Sequence, residues 1–124
     1  MRKIKLLFVS ISIIFLISCD KNINEPGTEN TSWVFVANEG EFDSNGPTNT
    51  GTISMINNFG DVYETESLGD IVHSLAVYNN KLIVSVNNSQ KILIFDISGE
   101  GLSENYNEIV IEDSPREIMI INDK

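Results

Sequence analysis

The side chains that could do chemistry are few. Glu41, Asp43 and Asn45 stand at alternate positions before Gly46, a spacing that presents oxygen donors as the opening of a calcium-binding loop does. Hard cations take six to eight oxygens, and the last ligand place of such a loop falls on Thr52, whose hydroxyl cannot act as a bidentate carboxylate. The stretch therefore reads as an extended connection of turn-forming residues, with no metal assigned. His73 is the single histidine and Cys19 the single cysteine. A general base needs a nucleophile or an acid at hand, and neighbouring Ser74 should point to the opposite face of a strand. One cysteine excludes an intrachain disulfide framework and a cysteine metal cluster. No glycine-rich phosphate loop, paired-carboxylate motif or cysteine nucleophile stands out, so the residues point away from an enzyme and call for no cofactor.

The formal net charge is −10 over 124 residues, from 18 acidic and 8 basic side chains, and every acidic residue lies beyond position 19. A surface so acidic repels phosphate backbones, which argues against a nucleic-acid partner. A hydrophobic content of 41% is ordinary for a folded domain.

The elements that would position these groups centre on residues 81–96, KLIVSVNNSQKILIFD. Two runs rich in β-branched residues, 82–86 and 92–95, flank a polar connector and read as a β-hairpin. Asn79-Asn80 joins this hairpin to the run 75–78, and Asn tolerates the left-handed backbone that tight turns demand. The pattern recurs: 72–81 aligns with 115–124, 33–38 with 82–87, and 53–57 with 92–96. A repeat of about 40–45 residues with four short strands predicts the blade of a β-propeller; a β-sandwich with similar hairpins is the alternative. The expected units are three strands over 33–68 (33–38, 52–57 and 62–67), a complete blade over 72–112 whose outer strand is 107–112, and the innermost strand of a third over 115–124. Strand 72–78 is apolar on both faces, as an inner strand covered on both sides should be. Closing a ring takes about four to eight blades, so two blades imply a partial propeller and an N-terminal fragment.

Residues 1–18 read as a leader. Arg2, Lys3 and Lys5 precede an apolar run over 6–17 that is too short for the about 20 residues of a membrane span and suits a signal peptide. Leu16-Ile17-Ser18-Cys19 resembles the bacterial lipobox, which implies cleavage before Cys19 and lipid attachment to it. Polar residues 19–32, with Pro26 and Gly27, then form a flexible tether.

Antiparallel order puts the second-to-third and fourth-to-first connections of each unit on one face. That face carries the long loop 39–51, together with 69–73 and 113–116. His73 and Arg116 are equivalent in the repeat and should rim a central channel. Glu39, Glu41, Phe42, Asp43, Asn45, His73 and Arg116 are therefore the candidate ligand-binding residues.

Phe35-Val36-Ala37-Asn38, and more loosely 83–88 followed by 91–96, resemble the YVTN repeat of surface-associated propellers. Val36-Ala37-Asn38-Glu39-Gly40-Glu41-Phe42, a Gly/Asn-rich loop and Gly51-Thr52-Ile53-Ser54 resemble the start of lipid-anchored YncE-like propellers of Bacteroidetes-type bacteria. The resemblance implies a seven-bladed ring on the cell envelope, at the outer membrane or cell surface. Some relatives capture corrinoids or other nutrients beside a TonB-dependent transporter. The expectation is a membrane-anchored binding module for a small-molecule ligand, with a transporter as a further partner. Alternatives are a propeller enzyme of the lactonase or lyase kind, with its catalytic residues in other blades, and a structural or adhesion protein.

Overall fold

The computed structural model describes residues 32–121. The expected leader, the lipid-bearing Cys19, all of the tether but Ser32, and residues 122–124 lie outside the described residues. Among the described residues the chain is all-β, with seven strands in two antiparallel sheets and no helix.

The first sheet has the order β1 (Val34–Asn38), β2 (Thr52–Ile56), β3 (Val62–Glu64). The second has the order β4 (Val72–Tyr78), β5 (Lys81–Val86), β6 (Lys91–Ser98), β7 (Gly101–Val110). Each strand pairs with its neighbour in sequence. The β4–β5 turn is a two-residue hairpin at Asn79 (φ 47°) and Asn80 (φ 58°), the left-handed geometry for which Asn is favoured. The β5–β6 turn closes with the Gln90 amide donating to the Asn87 carbonyl at 3.1 Å.

The side-chain alternation of paired strands decides which residues meet. Leu75, Val84 and Leu93 share one face of the second sheet, as do Leu82 and Phe95. Leu82, Val84, Val86 and Leu93 are fully buried there, and Phe35, Ala37 and Ile53 of the first sheet pack into the same core. The opposite face of the second sheet is also apolar: Ala76, Ile83, Ile92 and Ile94 are half-buried. Further ties hold the sheets together. Trp33 Nε1 donates to the Ser98 carbonyl at 3.1 Å, and the Gly51 amide donates to the Gly69 carbonyl at 2.9 Å.

Three boundaries differ from the sequence expectation. The fourth strand of the complete unit starts at Gly101 and ends at Val110, earlier than 107–112, because β6 extends to Ser98 and offers a free edge that polar residues can pair with. The third strand of the first sheet stops at Glu64. There Thr65 turns inward, its amide donating to the Ile53 carbonyl at 3.0 Å and its hydroxyl accepting from the Ile53 amide at 3.0 Å. Residues 115–121 form no strand.

Candidate functional site

The loop 39–51 has a closed base. Gly40 sits at φ +90°, and a Cβ there would lie 2.6 Å from Thr50 Oγ1 and 2.7 Å from the Gly51 nitrogen, so only glycine fits. The Glu41 amide donates to Thr50 Oγ1 at 2.7 Å, and the Thr48 hydroxyl donates to the Glu41 carbonyl at 2.6 Å. At the tip, Asp43 Oδ1 accepts from the Asn45 amide at 2.8 Å and from Asn45 Nδ2 at 2.7 Å. That Asx turn fixes the tip of the loop. Phe42, between base and tip, is 81% exposed.

Beside this loop the chain enters β4 through Asp70, a side chain that sequence reasoning did not single out. Asp70 is 5% exposed. Its Oδ2 accepts from Asn88 Nδ2 at 3.0 Å and its Oδ1 from the Thr48 hydroxyl at 3.4 Å. Its amide donates to Ser89 Oγ at 2.8 Å, and its carbonyl accepts from the Asn88 amide at 3.2 Å. One carboxylate thus fastens the loop 39–51 and the β5–β6 turn to the start of β4. Asn87, 7% exposed, adds a fourth segment: its amide donates to the Ile71 carbonyl at 2.8 Å and its Nδ2 to the Pro115 carbonyl at 2.9 Å. Ile71 between them lies at φ +60°, a region a β-branched residue avoids unless its surroundings impose it.

His73, two residues after Ile71, is the extra residue of a β-bulge. Val72 pairs with Val86 and Ser74 with Ser85, so two steps along β4 match one along β5. A bulge bends the strand and re-aims the residue it carries. Here Ser85, fully buried, accepts from the Ser74 amide at 3.1 Å, and their hydroxyls meet at 2.8 Å.

The result is a cleft of about 310 Å³ lined by Glu39, Phe42, His73 and Arg116, with Ile71, Asn87 and Asn88. Four of the seven candidate residues therefore share one concavity, on the face that strand order predicts. His73 Nδ1 stands 3.8 Å from Glu39 Oε1, beyond hydrogen-bond reach. A second cleft of about 400 Å³ adjoins it, lined by Phe42, Asp43, Ser44, Gly46, Pro47, Asp70 and Asn88. Glu41 and Asn45 line neither cleft. No three His, Cys, Asp or Glu side chains are grouped as a metal site among the described residues.

Chemically the pair of clefts offers carboxylates, one guanidinium, one imidazole, two primary amides and an exposed ring. The Ser44 hydroxyl completes the polar groups of the two linings. Comparison of the chain with known protein families and with curated proteins returns no match.

Proposed function

We propose that this chain is a lipid-anchored, exported binding module of the YVTN-repeat, YncE-like β-propeller kind, capturing a small molecule at the cell envelope. The observation that carries the binding reading is the cleft that gathers Glu39, Phe42, His73 and Arg116 from two connections and one bulge. Sites of this kind sit on loops held by a rigid sheet scaffold. Two antiparallel sheets stacked face to face, one with its four strands in sequence order, support the propeller reading. The second sheet's other apolar face is what a further blade would cover. The basic start, the short apolar run and Cys19 support the anchor.

The binding reading is tested on the full-length protein with a small-molecule fragment library screened by ligand-observed NMR. His73→Ala and Arg116→Ala should weaken the hits several-fold, each contact that matters being worth at least about 1 kcal/mol. Asn80→Ala, in the turn on the opposite face, should leave them unchanged. If only the Asn80 change weakens binding, the ligand face is the other one. The anchor is tested with a fatty-acid probe fed to producing cells, where Cys19→Ala should abolish labelling. Equal labelling of both proteins would remove the lipid from the proposal.

A further inference from the structure

The two clefts differ in charge and share a wall. Phe42 and Asn88 line both. On one side of that wall stand Asp43 and Asp70 with no basic residue in the lining. On the other stand Arg116 and His73, accompanied by Glu39. Resting on the reading of this face as the binding surface, we propose that the clefts form one bipolar site for a small molecule with an amine at one end and a carboxylate at the other.

Asp70 carries the amine end. Its side chain is buried in the lining of the acidic cleft, and the side-chain donors to it are neutral, the Asn88 amide at 3.0 Å and the Thr48 hydroxyl at the long distance of 3.4 Å. Among the described residues Lys81 pairs with Asp96 and Lys91 with Glu108, and His73 stands near Glu39, so no lysine, arginine or histidine among them meets Asp70. An ammonium group in the adjoining cleft supplies that charge. Asp43 adds a second negative group at the mouth, and the exposed ring of Phe42 offers its face to a cation.

Arg116 carries the acid end. It has no ion-pair partner among the described residues, and a guanidinium presents paired N–H donors that match a carboxylate. A singly charged acid suits this place better than a phosphate, because Glu39 and the carboxylates across the wall oppose a second negative charge. The strained turn at Ile71 (φ +60°) sets the two ends apart. It has Asp70 on one side of it and the re-aimed His73 two residues on.

The test is calorimetric titration of the full-length protein with ω-amino acids from glycine to aminohexanoate, beside butylamine and butyrate as single-ended probes. Joining the two ends makes the second contact intramolecular, so one chain length should bind at least about tenfold more tightly than either single-ended probe. Asp43→Asn, at an exposed position, and Asp70→Asn should weaken the amine-bearing probes several-fold and leave butyrate unchanged. Arg116→Ala should weaken butyrate and the amino acids and leave butylamine unchanged. Melting curves establish that each variant is folded, and Asp43→Asn carries the test if Asp70→Asn is not. Butylamine binding as tightly as every amino acid overturns the bipolar site, as does an Arg116→Ala effect on butylamine. If no amino acid binds while a library fragment still depends on His73, the ligand class falls and the binding face stands. If library fragments bind indifferently to both His73→Ala and Arg116→Ala, the face falls with it.

Discussion

The two sheets are built from matching strands, yet they stand in different positions. In the second sheet Val72, Leu82, Val84, Val86 and Leu93 are fully buried, whereas in the first only Ile53 reaches that state. On the far face of the first sheet Val34, Val36 and Val62 are 59%, 41% and 64% exposed. The residue types are nearly the same; the difference is what lies against them. The second sheet has the first packed on one face and is half-buried on the other, so its strands supply the core. The first sheet borrows that core through Phe35, Ala37 and Ile53 and leaves its other face in water. An apolar strand therefore tells of a place in a stack, and the stack decides how much its burial stabilises.

This contrast can be broken by truncating its centre. Leu93→Ala in β6 should cost about 2–5 kcal/mol, read from urea unfolding of the 124-residue chain. Val36→Ala in β1, on the exposed face, should stay near 0.5 kcal/mol. Equal losses would mean that both sheets carry the fold alike.

The junction between the sheets gives the next largest effect. Gly69 sits at φ +139°, and a Cβ there would lie 2.6 Å from Ser89 Oγ and 3.0 Å from Val86 Cγ1. Gly69→Ala should cost on the order of 1–3 kcal/mol, while Gly99→Ala, with open space around it, should be neutral within about 0.5 kcal/mol. A silent Gly69→Ala would show that the bridge between Gly51 and Gly69 does not hold the sheets in place.

Hydrogen exchange sharpens the same comparison without mutation. Amides in β5 and β6 should be protected at least about tenfold more than those in β3, which is short and exposed, because local opening follows buried apolar contact. Matching rates across the sheets would remove the asymmetry. The smallest effect belongs to the rim. Lys81 Nζ meets Asp96 Oδ1 at 2.6 Å, but their side chains are 47% and 71% exposed, so Lys81→Ala should change stability by less than about 1 kcal/mol.

The hairpin at Asn79-Asn80 and the pairing of 82–86 with 92–95 were legible because turn chemistry and apolar alternation agree there. The outer strand was placed late because Ser103, Glu104, Asn105, Asn107 and Glu108 show no apolar period. Their strand state comes from the edge of β6, not from their own pattern. The face of the candidate site was legible from strand order, and Glu39, Phe42, His73 and Arg116 meet as that order implies. Glu41 and Asn45 do not join them because the loop folds onto itself through Thr48, Thr50 and Asp43. Asp70 was hidden: a single acid after a glycine looks like any turn, and its burial exists only once Thr48, Asn88 and Ser89 arrive from other connections. The bulge at His73 was equally silent, since a one-residue slip in pairing leaves no mark on composition. Ile71 at positive φ runs against local preference altogether.

The dependence of the first sheet on the second has a consequence in time. Chains emerge N-terminus first, at about 5–20 residues per second, so β1, β2 and β3 are made before β5 and β6. The hairpins of the second sheet close over short turns, whereas β1 must find β2 across the loop 39–51, a slower search. From the appearance of Glu64 to that of Leu93, roughly one to six seconds pass at those rates. Through that interval Phe35, Ile53 and Met55 have no opposing face. A nascent ribbon of this kind is a substrate for a holdase, and slowing synthesis within 65–93 should raise the fraction of chain lost to aggregation.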